Sequence, residues 1–178
     1  MSEMEELIAA YSRFVALPWR SGLPGPQRVW MVIYEPRQER RLRRRLPEFE
    51  LATQQSGHKW NLLDITDSFP QWLSKQEYAE AYFEDPEALS IALGGYAASL
   101  ISQVRTFLDG SDEETVVGLL GAGALFPHCR VSEVIEAVNS SVAGRLVVFF
   151  PGSHSDNVYR LLNARDGWNY MAVPITAT

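Results

Sequence analysis

The chain has 178 residues, 46% of them apolar, which is enough for one compact domain with a buried core and too few for two well-packed ones. Its 22 acidic residues against 16 basic ones give a formal charge of −6, which argues against a dedicated nucleic-acid binder because phosphate neutralisation dominates that binding. A single cysteine, Cys129, forms no internal disulfide and builds no zinc framework with three scattered histidines, so a reducing compartment is expected.

Residues 3 to 17 carry Leu7, Ala10, Tyr11, Phe14 and Leu17 at helical spacing, with Glu3, Glu5 and Glu6 near the positive end of the helix dipole. This predicts a short amphipathic helix. The acidic start MSEMEELIAA lacks the basic n-region of a secretory signal, and no apolar run approaches the ~20 residues of a membrane span. A soluble, cytoplasmic protein is expected. LPWRSGLPGPQ follows, its prolines and glycines excluding regular structure, and residues 1–27 therefore read as helix plus connector to a core at 28–176.

RVWMVIY, Arg28 to Tyr34, is an apolar run rich in β-branched and aromatic residues, as in a strand covered on both faces, and it is expected to be central. Glu35 and Pro36 end it, and the fixed φ of Pro36 suits the first turn of a helix spanning about 36 to 46. On that helix Arg37, Arg40, Arg41, Arg44 and Arg45 share one broad arc, opposite Leu42, Leu46 and Phe49. Only Glu39 and Glu48 interrupt the positive charges, and like charges on one arc repel. Solvated surface, contact with DNA, and docking of an acidic partner all remain open for it.

HKWNLLDIT, 58 to 66, is of mixed polarity and reads as an edge strand. Helical sequence fills about 67 to 110, an insertion between strands. TVVGLL from Thr115, RLVVFF from Arg145 and NYMAVPI from Asn169 supply three more strands, with the helix RVSEVIEAVNSSV between the first two. The last strand belongs at an edge because Pro174 removes a ladder donor. About five strands alternating with helices describe a single three-layer α/β/α domain over 1–178 with an open, mostly parallel sheet. Two doubly wound orders, 2-1-3-4-5 and 5-1-4-3-2, satisfy these edges. Both belong to nucleotide-binding-like folds of the P-loop/RecA-like or Rossmann-like kind, here without a Walker A motif.

Ligands of such sheets sit beyond the carboxyl ends of the strands, which singles out YEPRQE, GLLGAGALFPHCR and PGSHSD. Gly121 and Gly123 follow a strand directly, yet the third glycine of a dinucleotide fingerprint is replaced by the bulk of Leu125, Phe126 and Pro127. Tight-turn glycines are the favoured reading. A P-loop lysine is missing too, since Lys59 and Lys75 follow no glycine turn. Cys129 has His128 beside it, but neighbours on a helix diverge by ~100° and no orienting third group is present. Ser153, His154, Ser155 and Asp156 are contiguous and cannot relay a proton in order; Pro151-Gly152-Ser153 reads as the turn that ends the strand. No catalytic residue, cofactor or metal is expected.

LLGAGALFPHCRVSEVIEAV, then RLVVFFPGSHSDNVYRLLN, then WNYMAVPI, resemble the BrxB family of bacterial BREX phage-exclusion systems. The features that carry the resemblance are an apolar strand into Gly121-x-Gly123, the pair Phe126-Pro127, an apolar strand into Pro151-Gly152-Ser153, and the aromatic segment from Trp168 to Ile175. VIYEPRQE, with Glu35 and Pro36, is similar to the family's strand-to-helix passage. The resemblance spans roughly residues 28 to 176, is most specific from 115 onward and weakest over SFPQWLSKQEYAEAYFEDPEAL. It implies a non-catalytic accessory protein of phage defence, acting by protein–protein interaction with other BREX components and foremost with PglZ, an alkaline-phosphatase-superfamily protein. A small ligand-binding enzyme using the three loops, or a subunit touching DNA through the arginine helix, is the alternative. No membrane contact is implied.

Overall fold

Strand sequences with apolar side chains at every position place one residue up and the next down, so each such strand serves two cores at once. The computed structural model, which describes residues 1–164 and 167–177, is built on this rule. β1 (Val29–Tyr34), β3 (Thr115–Leu120) and the first part of β4 (Arg145–Ser155) are buried throughout. Trp30, Val32, Val116, Leu120, Val147 and Phe149 face one core; Met31, Ile33, Val117, Leu119, Val148 and Phe150 face the other. The first is covered by α1 (Glu3–Val15) and α2 (Glu39–Gln55), the second by α5 (Pro86–Asp109) and α6 (Val131–Val138).

The sheet is completed by β2 (Lys59–Asp64) at one edge and β7 (Val173–Ile175) at the other, in the order β2-β3-β4-β1-β7, all parallel. Counting these five in chain order, this is 5-1-4-3-2, the second of the two orders the sequence allowed. Both edges are as expected, but the middle position belongs to β4 and β1 sits one place from the edge. β2 tolerates its edge because four of its six residues, Lys59, Asn61, Leu62 and Asp64, are exposed while Trp60 and Leu63 lean inward.

Four expectations about boundaries are corrected. Pro36 starts a short 3-10 turn to Gln38, so Arg37 lies ahead of α2 and not on it. The helix then runs through Pro47 to Gln55 and does not stop near 46. An interior proline costs about 3 kcal/mol. Full burial of Leu42 and Phe49, each worth about 1.5–3 kcal/mol, offsets this. The buried Tyr11–Thr53 hydroxyl pair at 2.6 Å anchors the far end.

PGSHSD is not the end of a strand. β4 continues through Pro151, Gly152 and Ser153 to Ser155, and the reversal comes at Asp156 and Asn157, whose φ values of 52° and 64° make a two-residue turn of the kind that matches strand twist. β5 (Val158–Leu161) returns antiparallel, pairing Gly152 with Leu161 and His154 with Tyr159. The segment from 169 to 175 is likewise not one strand. β6 (Trp168–Asn169) pairs with β5, and only β7 joins the parallel sheet.

Within 67–110, α3 (Ser68–Ser74) and α4 (Ala79–Glu84) precede α5. The second half of α5 buries Tyr96, Leu100, Val104 and Leu108 and is the crossover that a parallel β2–β3 pair requires. Its first half carries Ile91 at 86% exposure. Among the described residues no helix is long and apolar enough to cross a membrane.

At the amino ends of β2 and β3, Asp112 accepts hydrogen bonds from Lys59, from the Thr115 hydroxyl at 2.7 Å and from the Glu114 amide at 3.0 Å. Lys59 first, then Thr115, hold its carboxyl down at about 2, below the ordinary 3.8. A depressed carboxyl contributes stability that is present above pH 3.8 and disappears as the pH falls to about 2. Asp112→Asn is therefore expected to lower the melting temperature at neutral pH, and the gap to the parent should close between pH 4 and 2 in acid melts. A gap that persists unchanged at pH 2 would rule out this carboxylate as its origin.

Candidate functional site

The helices leave β1 and β3 toward opposite faces of the sheet, which opens a crevice beyond the carboxyl ends of the strands. It is a groove of about 350 Å³ lined by Pro36, Glu39, Arg43, Thr66, Gly121, Gly123 and Pro151, among others. Four residues singled out from sequence, Pro36, Gly121, Gly123 and Pro151, thus meet in one place. Glu35 is exposed on its rim side of β1 and pairs with Arg37.

The polar groups of the groove are ones the sequence did not single out together. Tyr34 at the end of β1 donates to Glu39. Arg43 Nε donates to Glu39 at 2.7 Å, and its two terminal nitrogens reach Asp64 at 3.3 Å and the Thr66 hydroxyl at 2.8 Å. The Thr66 amide closes an Asx turn on Asp64 at 3.0 Å. One signal was available: Glu39 and Arg43 stand four apart on a helix, and Asp64-x-Thr66 directly follows a strand.

The electrostatics are those of a closed circuit. Burial, reinforced by the hydrogen bond to Glu39, holds the Tyr34 hydroxyl protonated well beyond its usual range. Burial works against the Arg43 charge, but Glu39 and Asp64 outweigh it and push its proton affinity up. Burial also raises Asp64, and Thr66 together with Arg43 pulls it below the usual carboxylate range. One guanidinium thus serves two carboxylates. A phosphate in this groove would meet a net negative circuit with no lysine to hold it.

Gly121 has φ of +98°, and a side chain there would lie 2.6 Å from the Thr66 hydroxyl and 2.7 Å from its amide. It is a turn glycine set against the β2 loop. Gly123 has ordinary φ and abuts Pro151. Phe126 and Pro127 are exposed and border a second cavity of about 220 Å³, whose wall includes Cys129, Phe150, Tyr159 and Trp168.

The cysteine and histidines do not converge. Cys129 points its thiol at the Arg130 carbonyl at 3.6 Å, and burial followed by the Glu133 charge pushes it up to about 11. His128 stacks on Phe69 with ring centres 3.8 Å apart. His154 packs against Tyr159. Alternation along β4 sends His154 to the face opposite Ser153 and Ser155. Among the described residues no three His, Cys, Asp or Glu side chains group as a metal site would require.

The arginine surface divides. Arg37 pairs with Glu35, and Arg45 with Glu48 at 2.7 Å. Arg43, outside the arc, is engaged in the groove. Arg40, Arg41 and Arg44 are exposed and form no ion pair among the described residues. The acids of α2 offer them little, because Glu39 and Glu48 are already paired and Glu50 accepts from Gln54 at 3.1 Å.

No curated protein and no solved structure matches the chain. The family described as BREX protein BrxB matches residues 62–175, from β2 to β7, so that β1 and the arginine helix precede the matched part. The match includes the helical segment where the resemblance was weakest. It covers well over half of the chain, which therefore belongs to the BrxB family and is a component of a BREX phage-defence system.

Proposed function

We propose that the protein acts in its defence system as a non-catalytic accessory subunit, docking an acidic surface of another BREX component, with PglZ as the partner. The observation that carries this reading is the unneutralised triad Arg40, Arg41 and Arg44 on a helix fixed to the core by Leu42 and Phe49. Three cations held at one place without counter-ions repel one another, and an acidic partner relieves that cost while steering its own approach. Support also comes from the groove, where Arg43 is committed to neighbouring side chains. A second exposed surface lies on the opposite face of the sheet, where Tyr78, Phe83 and Ile91 are 63%, 76% and 86% exposed on or beside α4 and α5.

The test is the triple variant Arg40→Gln, Arg41→Gln, Arg44→Gln, which keeps helix propensity and removes charge. Its melting temperature should equal or slightly exceed the parent's, because the mutual repulsion is removed. Association with PglZ should slow by about tenfold and lose much of its salt dependence. DNA contact is the competing reading, and it would instead show as a salt slope of DNA binding lowered by about one unit per phosphate contact removed. Unchanged binding to PglZ and unchanged protection from phage would reject the arginine surface as the docking site.

A further inference from the structure

At the amino-terminal edge of the sheet, opposite the groove, lies a pocket of about 170 Å³ whose wall includes Trp19, Arg20, Arg28, Arg145, Glu113 and Glu114. Its floor is Arg145, the first residue of β4 and only 5% exposed. The guanidinium donates to the carbonyls of Gly144 at 2.9 Å and Arg20 at 3.2 Å. It lies 4.7 Å from the centre of the Trp19 ring and 5.9 Å from that of Trp30.

Carbonyls and aromatic faces are dipolar and quadrupolar partners, and neither cancels a full charge. Among the described residues no carboxylate lies within ion-pairing distance of Arg145 or Arg28. Glu114 is turned to His58, 3.2 Å away. Burial and then the neighbouring Arg28 both press the Arg145 guanidinium toward losing its proton, which marks two like charges facing each other.

Two residues of the same wall, Arg28 itself and Trp19, carry buried donors. Nε of Arg28 and Nε1 of Trp19 are buried and have no hydrogen-bond partner. Native structures rarely leave such N–H groups orphaned, since each costs about as much as the hydrogen bond it lacks. Trp19 is held in position by stacking on His58 with ring centres 3.5 Å apart, so its N–H has a fixed bearing. Two guanidinium groups, one with an orphaned Nε–H, and the orphaned indole N–H of Trp19 around one small cavity are complementary to the lone pairs of a tetrahedral or planar oxyanion.

We propose that this pocket is an oxyanion-binding site taking a compact phosphate- or carboxylate-sized group between Arg28, Arg145 and the Trp19 N–H. Glu113 and Glu114 on the wall repel extended polyanions, so a single charged group is admitted and a nucleic-acid backbone is not. The site is independent of the arginine helix.

The test is a titration of the intact protein with inorganic phosphate, and separately with acetate, at ionic strength held constant with sodium chloride. Tryptophan fluorescence reports it, because Trp19 and Trp30 both border Arg145. A saturable response is expected, with a dissociation constant on the order of millimolar for so small a ligand, and with a rise in melting temperature. Stronger binding of phosphate assigns a phosphoryl ligand, and stronger binding of acetate a carboxylate. Arg28→Gln should weaken binding about tenfold through loss of a charged donor. Trp19→Phe removes the N–H together with the pyrrole part of the indole while leaving an aromatic ring at the position that stacks on His58. Read by the remaining Trp30 signal and by the ligand-dependent rise in melting temperature, it should weaken binding by a smaller factor, which carries the test even if Arg28→Gln melts early. A response that chloride reproduces, or that survives both substitutions unchanged, would mean that the arginines only brace the connector against the sheet.

Discussion

Gly152→Val should leave the protein unfolded or melting far below the parent, whereas His154→Ala should melt within a few degrees of it. A Cβ at 152 would sit 2.0 Å from the Arg160 carbonyl oxygen and 2.9 Å from the Phe150 ring. The oxygen belongs to β5, where Leu161 stands opposite Gly152 and Arg160 opposite Ser153 of β4, and the Leu162 amide donates to the Pro151 carbonyl at 2.8 Å, so neither strand retreats without undoing the hairpin. Overpacking ordinarily costs 1–3 kcal/mol by displacing side chains. Displacement of backbone raises the loss to about 3 kcal/mol or more, a large share of the stability of a domain this size. The damage spreads, because Tyr159 on β5 packs on Phe150 and donates to the Ala172 carbonyl at 2.8 Å, tying the hairpin to the segment that leads into β7. His154 carries none of this, and its ring covers Tyr159 from a half-buried position. Circular-dichroism melts of the two variants decide the matter, and a reversed ranking would overturn the close-approach role of Gly152.

The same glycine shows how far the sequence could be read. Pro-Gly-Ser after an apolar run is ordinary turn vocabulary, and local propensity points there. What overrides it is pairing: the Asp156-Asn157 turn lies four residues on, and strand β5 becomes visible only once Val158 and Tyr159 are seen to have partners in β4. The layering, the edges and the parallel sheet followed from patterns within single segments. Continuous apolar runs marked β1, β3 and β4, and the mixed polarity of HKWNLLDIT marked β2. The length of α2 did not follow, since Pro47 is a local stop signal defeated by burial of Phe49 and Thr53 against α1 and β4. The site was half legible. Gly121, Gly123, Pro36 and Pro151 were picked out as loop residues, but the circuit of Tyr34, Glu39, Arg43, Asp64 and Thr66 joins residues up to 32 positions apart, and such spacing has no signature without the fold. Arg43 was hidden by its own neighbours, one arginine in a run of six.

Gly121→Ala should destabilise the protein by about 2–4 kcal/mol, and Gly123→Ala by less than about 1 kcal/mol, although the two stand in one Gly-Ala-Gly motif. The φ of +98° at Gly121 is reserved almost wholly to glycine, so any Cβ strains the backbone by about 1–2 kcal/mol before it meets a neighbour. It then meets the Thr66 amide nitrogen at 2.7 Å, which is itself fixed on Asp64. Gly123 is different. Its added methyl would lie 3.2 Å from Pro151 Cγ, and a pyrrolidine ring yields a few tenths of an ångström by changing pucker. The contrast separates two meanings of the motif. If both glycines let backbone amides approach a bound phosphate, Gly123→Ala would fold normally and lose a ligand-dependent rise in melting temperature that the parent shows with Mg-ATP. If the first glycine serves the turn and the second merely packs, the parent shows no such rise and only Gly121→Ala melts early. The second outcome is expected, because Arg43 and its two carboxylates already occupy the electrostatic position that a phosphate would need. Equal destabilisation by the two substitutions would show that the turn geometry at Gly121 does not govern this loop.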